Sequence, residues 1–259
     1  MCVHGSLGHG SEPFGALHAL ADEFTLEFVD RRGFGRSAPR EDRVDFDRDA
    51  DDVADLLGDG AHLVGHSYGG VVAILAAVRR PGAVRSLTVI EPPLMSLASD
   101  DPAVEELRAR LDDVFPADPG EAPGRWLARF VQALGSEVPD ELPFPPDDEA
   151  DIRASMRERP AWEATADLGV IRTTGVPVLA IRGDWAPDPA AARIAGAAFR
   201  AITEALVARV GGEILVAPGA THSPQHERPD IVVPHLRKFI QDVELALAAH
   251  GGEHDLGRA

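Results

Sequence analysis

The stretch AHLVGHSYGGVVAILAAV, residues 61–78, decides how the rest of the chain is read. It opens on a short apolar run fit for a buried strand, passes through G-x-S-x-G, and runs at once into an apolar helical pattern. So sharp a strand-to-helix turn leaves no room for side chains at Gly65 and Gly69, and it exposes the Ser67 hydroxyl at the edge of a sheet. The helix that follows directs free N–H groups toward developing negative charge, with Tyr68 N–H as the first donor. A bare G-x-S-x-G is common by chance. Its place between a buried strand and an apolar helix is the context that makes Ser67 a candidate nucleophile.

Outward from this turn, further short apolar runs read as strands: TLEFVD (25–30), SLTVIE (86–91), VPVLAI (176–181) and EILVAP (213–218). Helical patterns fill the intervals, among them FGALHALADE, DADDVADLL, an Ala-rich stretch from Pro189 to Val210, and VVPHLRKFIQDVELALAAH. Strands alternating with helices predict an α/β fold, a mostly parallel sheet flanked by helices on both faces. One interval breaks the rhythm. From Leu94 to about Val170 no strand-like run occurs, and helical pieces such as AVEELRARLDDVF and APGRWLARFVQAL surround a Pro-rich stretch. An insertion between two parallel strands emerges at their carboxyl edge, where such folds bind ligands. Residues 94–170 are therefore read as a helical lid over a core made of residues 1–93 and 171–259.

The 259 residues are 44% hydrophobic and 26% charged, which predicts one large core rather than a disordered chain. A net charge of −18 repels phosphate backbones and anionic lipid, so neither nucleic acid nor a membrane surface is an expected partner. Cys2 is the sole cysteine, which excludes an intrachain disulfide and a thiolate metal cluster. No basic-then-apolar leader opens the sequence, and its longest apolar run, Val71 to Val78, falls far short of a membrane span. A cytoplasmic location is the expectation; the oligomeric state is not legible.

Three more stretches, HGSLG (4–8), DRRGFGRS (30–37) and PGATHSPQHERPD (218–230), join GHSYGG in an order and spacing that resemble the α/β-hydrolase superfamily across nearly the whole chain. The resemblance implies an eight-stranded, mostly parallel sheet. Because the chain begins only three residues before His4, the N-terminal strands of that sheet are expected to be missing. It also implies a second oxyanion donor in the HG loop, Ser6 N–H or, failing that, Leu7 N–H. His4 and the DRRGFGRS stretch are assigned loop-shaping roles and no chemistry.

In the resembling family the catalytic base follows the last strand, spaced H-x-x-x-x-E-x-P, and His222 with Glu227 and Pro229 fits. A serine hydroxyl needs such an imidazole to take its proton and return it to the leaving group. His226, His235 and His62 are read as surface or structural groups, and no metal ligand set is evident. A third group must orient the imidazole. Many family members place an Asp three residues after the glycine that ends the next-to-last strand, but counting from Gly183 gives Ala186. Asp184 and Asp188 remain open as alternatives. Glu91, at the end of SLTVIE and before Pro92 and Pro93, is preferred, because haloalkane dehalogenases and zearalenone lactonases resemble this arrangement in carrying the acid after that earlier strand.

These residues together predict a serine hydrolase that cleaves an ester, lactone or similar acyl bond of a small apolar molecule through an acyl-enzyme, with no cofactor and no metal. Leu94, Met95, Leu97 and Trp126 are the expected pocket lining, although Trp126 and Phe130, four apart, also suit a lid core. A cofactor-free lyase or C–C bond hydrolase using the same serine and histidine, or an inactive small-ligand-binding member, are the competing functions.

Overall fold

The computed structural model describes residues 1–40, 42–118 and 120–255. Six strands, β1 (Cys2–Val3), β2 (Phe28–Val29), β3 (Ala61–His66), β4 (Val84–Ile90), β5 (Val178–Gly183) and β6 (Glu213–Ala217), form one sheet in the order β2-β1-β3-β4-β5-β6. Every neighbouring pair is parallel. Strands β3 to β6 fall on AHLVGH, SLTVIE, VPVLAI and EILVAP, within two residues. TLEFVD contributes only Phe28 and Val29. Strand β1 has two residues, too few to show any period. The resemblance implies eight strands, and six are present among the described residues.

Among the described residues ten α-helices accompany the sheet: α1 (Phe46–Leu56), α2 (Tyr68–Arg79), α3 (Pro102–Asp112), α4 (Pro123–Ala133), α5 (Glu149–Ser155), α6 (Leu168–Thr174), α7 (Pro189–Ala191), α8 (Ala197–Val210), α9 (Pro224–Glu227) and α10 (Pro229–Asp255). Their starts are written in short acidic caps. Asp45, Asp101 and Asp167 each accept the N–H two residues on, at 2.9–3.0 Å, satisfying a donor that has no partner inside the helix.

Alternate residues of the strands face opposite layers. Leu63, Leu87, Val89 and Ala180 pack with α1, α2 and α6, whereas Val64, Ile90, Leu179 and Ile181 pack with α10 and a 3₁₀ helix at Glu12–Leu20. Each fully buried Leu or Ile contributes about 1.5–3 kcal/mol. A third apolar cluster joins the helices inserted between β4 and β5, through Leu107, Leu111, Trp126 and Ile152, to Trp185, Phe199 and Ile202 of the main body.

The sheet's order reverses between β1 and β3, the place where open parallel sheets bind ligands. Here the backbones crowd. A side chain on Gly69 would overlap the carbonyl oxygens of Val3 and His4, and one on Gly65 would overlap the carbonyl of Gly69. We expect Gly69→Ala to lower stability by about 1–3 kcal/mol, read from urea unfolding, because backbone rather than a movable side chain must give way. An unchanged midpoint would show that the turn can relax.

Candidate active site

Ser67 stands between β3 and α2 with φ 52° and ψ −123°, a region that non-glycine residues occupy at a cost. Its N–H donates to Ile90 O of β4 at 2.8 Å, and its carbonyl accepts Gly70 N–H at 2.8 Å, so both sides of the strained residue are tied to buried elements. The hydroxyl is left pointing at the loop after β6. There His222 Nε2 lies 2.9 Å from Ser67 Oγ, the geometry for taking the hydroxyl proton.

The histidine loop is held from two sides. Glu227 accepts Thr221 N–H at 2.6 Å, Thr221 O–H at 2.9 Å and Ser223 N–H at 3.0 Å. From the strand side, His66 Nε2 lies 2.9 Å from the His222 carbonyl oxygen. Burial pushes His66 down to about 3, which keeps the ring neutral and lets Nε2–H donate. His66 sits in the same GHSYGG motif as Ser67, where no sequence pattern marks its role.

Glu91 closes β4 in the left-handed region, φ 48°, and is 0% exposed. Its Oε1 accepts Gly183 N–H at 2.7 Å and Trp185 Nε1–H at 3.3 Å. Its Oε2 has no hydrogen bond, nor does the buried His222 Nδ1. The two atoms face each other at 3.7 Å, longer than a hydrogen bond by about 0.5–0.7 Å. Asp184 and Asp188 are engaged elsewhere. Asp184 Oδ1 accepts Ala186 and Gly219 N–H, each at 3.0 Å, and Asp188 caps α7 through Ala191 N–H at 3.0 Å while accepting Ser136 O–H at 2.6 Å. Of residues 183–188 it is Gly183, through its N–H, and Trp185, through its ring, that reach the acid. The Trp185 ring lies against Gly196, where a side chain would meet it at 2.8 Å. No sequence pattern flagged it.

Of the candidate oxyanion donors, Leu7 N–H is occupied, donating to Ser155 Oγ at 2.9 Å. Among the described residues no hydrogen bond takes Ser6 N–H or Tyr68 N–H. Gly5 allows this loop to approach: a side chain there would meet Ser67 Cβ at 2.8 Å. His4 is fully buried, with Nδ1 2.8 Å from Gly5 O and Nε2 accepting Arg31 N–H at 3.0 Å. Burial and the Arg31 charge hold it far below the ordinary histidine range, as a neutral loop-shaping group.

A cavity of about 40 Å³ opens over Ser67 and His222. Leu94, Met95, Leu97 and Trp126, the expected lining, do not reach it. The 3₁₀ turn at Met95–Leu97 folds the first three inward, where Leu94 and Leu97 join the sheet core, and Trp126 is fully buried against Phe115 and Phe130. The wall is instead made by Pro93, Leu111, Phe115, Phe130, Trp162 and Phe199, with Glu158 and Arg159 at one side. Trp126 thus takes the core alternative that its spacing to Phe130 also suits, while Phe130 lines the cavity. A larger hollow of about 280 Å³ lies at the opposite end of the strands, near Met1, Phe24, His62 and Ile240, away from Ser67. No helix among the described residues is long and apolar enough to cross a membrane.

Burial raises Glu91 to about 8 and lowers His222 to about 4. Between pH 4.5 and about 8, folded Glu91 therefore holds a proton that the unfolded chain has released, so this group's contribution to stability is lost as pH rises through that window. Glu91→Gln removes that penalty. We expect its melting temperature, relative to the parent chain, to climb from pH 5 to pH 8 in buffered thermal melts; a pH-independent difference would mean that burial does not govern Glu91.

The profile of the Alpha/beta hydrolase family matches residues 1–235. A pimeloyl-(acyl-carrier protein) methyl ester esterase of Aeromonas hydrophila is 32% identical over 168 residues, 63% of this chain and 63% of that protein, so the match spans a little under two thirds of the relative. A 2-(acetamidomethylene)succinate hydrolase of Mesorhizobium japonicum is 29% identical over 240 residues, 89% of this chain and 78% of that one. Among solved structures, an esterase of Thermogutta terrifontis superposes with a TM-score of 0.62 at 22% identity, over 93% of this chain and 89% of that one, a likeness of fold.

Proposed function

From the premise that this chain belongs to the alpha/beta hydrolase family, we propose that it is a serine hydrolase that cleaves an ester, lactone or similar acyl bond of a small apolar molecule. The observation that carries the reading is the 2.9 Å contact of Ser67 Oγ with His222 Nε2 on a strained turn, with the otherwise unpartnered oxygen of Glu91 behind the ring. The names of the Aeromonas and Mesorhizobium relatives, an esterase and a hydrolase, support the same class.

In the proposed reaction Ser67 Oγ attacks the carbonyl carbon as its proton passes to His222 Nε2. The carbonyl electrons move to oxygen, where Ser6 and Tyr68 N–H donate. As the tetrahedral centre collapses, the bond to the leaving oxygen breaks and that oxygen takes the proton from His222. Water then gives a proton to His222 and attacks the acyl-enzyme, and the second collapse releases the carboxylic acid and restores Ser67. In its ionised form Glu91 holds the ring with Nδ1–H toward it and stabilises the imidazolium while it lasts, and burial raises the pH at which that form prevails.

Pocket size and polarity support a small apolar substrate. About 40 Å³ equals the space of roughly three waters, at about 10–15 Å³ each, so the cavity suits a short chain. Its charged wall residues are already paired. Glu158 accepts from Arg31 and Ser6, and Arg159 pairs with Asp47 and Glu163. Residues 94–170, which supply much of the wall, are read as the lid.

A fluorophosphonate probe should label the parent chain and not Ser67→Ala; a folded, unlabelled parent chain would sink the reading. On p-nitrophenyl esters, kcat/KM should fall from acetate and butyrate to octanoate. Glu91→Gln should cost on the order of a hundredfold or more in kcat, while Asp184→Asn and Asp188→Asn stay near the parent value. The reverse order would assign the acid to the loop after β5.

A further inference from the structure

Asp151, Ser155 and Glu158 are spaced by four and by three, and each holds a different residue of the loop after β1. Asp151 and Ser155 lie on one face of α5, as a spacing of four requires, and Glu158 follows the helix. Asp151 Oδ2 is 2.5 Å from His9 Nδ1, Ser155 Oγ accepts Leu7 N–H at 2.9 Å, and Glu158 Oε2 accepts the Ser6 hydroxyl. All three residues are buried.

On the other side of the same loop stands Arg31, its side chain wholly buried between the rings of Phe34 and Tyr68, each 4.4 Å from the guanidinium carbon. It donates to His4 O at 3.0 Å and Gly5 O at 2.8 Å, and it pairs with Asp49 at 3.0 Å and with Glu158 Oε1 at 2.6 Å. The loop is thus clamped between a core arginine and the inserted segment, and Glu158 belongs to both jaws. The segment is itself anchored where Val44 and Glu158 form a parallel bridge, with Val44 N–H to Arg157 O at 3.0 Å and Arg159 N–H to Val44 O at 2.7 Å. Among the described residues no hydrogen bond takes Ser6 N–H.

We propose that Ser155 and Glu158 are positioning residues for the oxyanion hole: by fixing Leu7 N–H and Ser6 Oγ they aim Ser6 N–H at the carbonyl oxygen attacked by Ser67. The inserted segment then completes the hole as well as walling the pocket. The proposal rests on the serine-hydrolase reading above. It requires the two contacts to act on the transition state more than on the bound substrate, because the oxyanion forms only there.

Ser155→Ala and Ser6→Ala test it with little risk to folding. Each should lower kcat about tenfold on p-nitrophenyl acetate with KM within about twofold, as a donor displaced by a fraction of an ångström loses its aim. The inhibition constant of a trifluoromethyl ketone, whose serine adduct carries the oxyanion, should rise by the same factor. Glu158→Gln, which keeps an acceptor for Ser6, should lie between the parent chain and Glu158→Ala, and Ser6→Ala combined with Glu158→Gln should be no slower than the slower single variant. Parent-like kcat and ketone inhibition in both Ser155→Ala and Ser6→Ala would overturn the proposal, as would a loss confined to KM. If fluorophosphonate leaves the parent chain unlabelled, the hydrolase reading fails first and the proposal falls with it.

Discussion

The left-handed backbone at Ser67 is the constraint from which the rest of the site follows. A residue with a side chain at φ 52° costs about 1–3 kcal/mol and persists only where its surroundings over-determine it. Here they do. The residue is fixed between β3 and α2, both deeply buried, and its N–H is bonded to β4. The glycines at 5, 65 and 69 let three backbones meet at one point, so the strain at Ser67, the path of β1 and the approach of the Ser6 loop form one packing solution. Enlarging any of the three would move the hydroxyl.

Glu91 poses the converse problem, a carboxylate with no exposure to water. Two donors, Gly183 N–H and Trp185 Nε1–H, meet one oxygen and offset part of the desolvation. The other oxygen faces only His222 Nδ1. Burial drives each partner toward its neutral form, so an ionised Glu91 and a protonated His222 are each unfavourable alone and compensate one another together. Such a pair suits a reaction in which the imidazolium exists only in passing.

How much of this was legible in the sequence depends on how local each signal is. Strand β3, the serine turn and α2 are contiguous, and GHSYGG states the backbone requirement in its glycines; His222 was placed by its spacing to Glu227 and Pro229, and Glu227 proves to clamp that loop. Strand β1 escaped because a two-residue strand has no period. Arg31, Glu158 and Trp185 escaped because their meaning is tertiary. Arg31 lies in the loop-shaping DRRGFGRS stretch and Glu158 stands 127 positions away in no motif, yet both are buried and paired. Trp185 lies between the two alternative acids, of which Asp184 accepts loop N–H groups and Asp188 caps α7. The pocket lining was misassigned for a related reason: burial beside a catalytic strand end does not say which side of the backbone a residue faces, and the turn at Met95–Leu97 faces inward.

The position of the insertion ties these parts together. It leaves the core just after Glu91 and Pro92–Pro93 and returns to it before β5, whose last residue, Gly183, grips Glu91. The same two strand ends therefore bracket the acid and the inserted helices. Those helices pack on Trp185 and Phe199, which flank His222, with ring centroids 6.1 and 4.9 Å from the imidazole. Through Ser155 and Glu158 they also reach the loop that carries Ser6. A rigid displacement of the insertion would thus be felt at the acid's second donor, at the ring's apolar flank and at the oxyanion loop. A pocket wall that shares side chains with all three cannot be exchanged or moved independently of the chemistry beneath it.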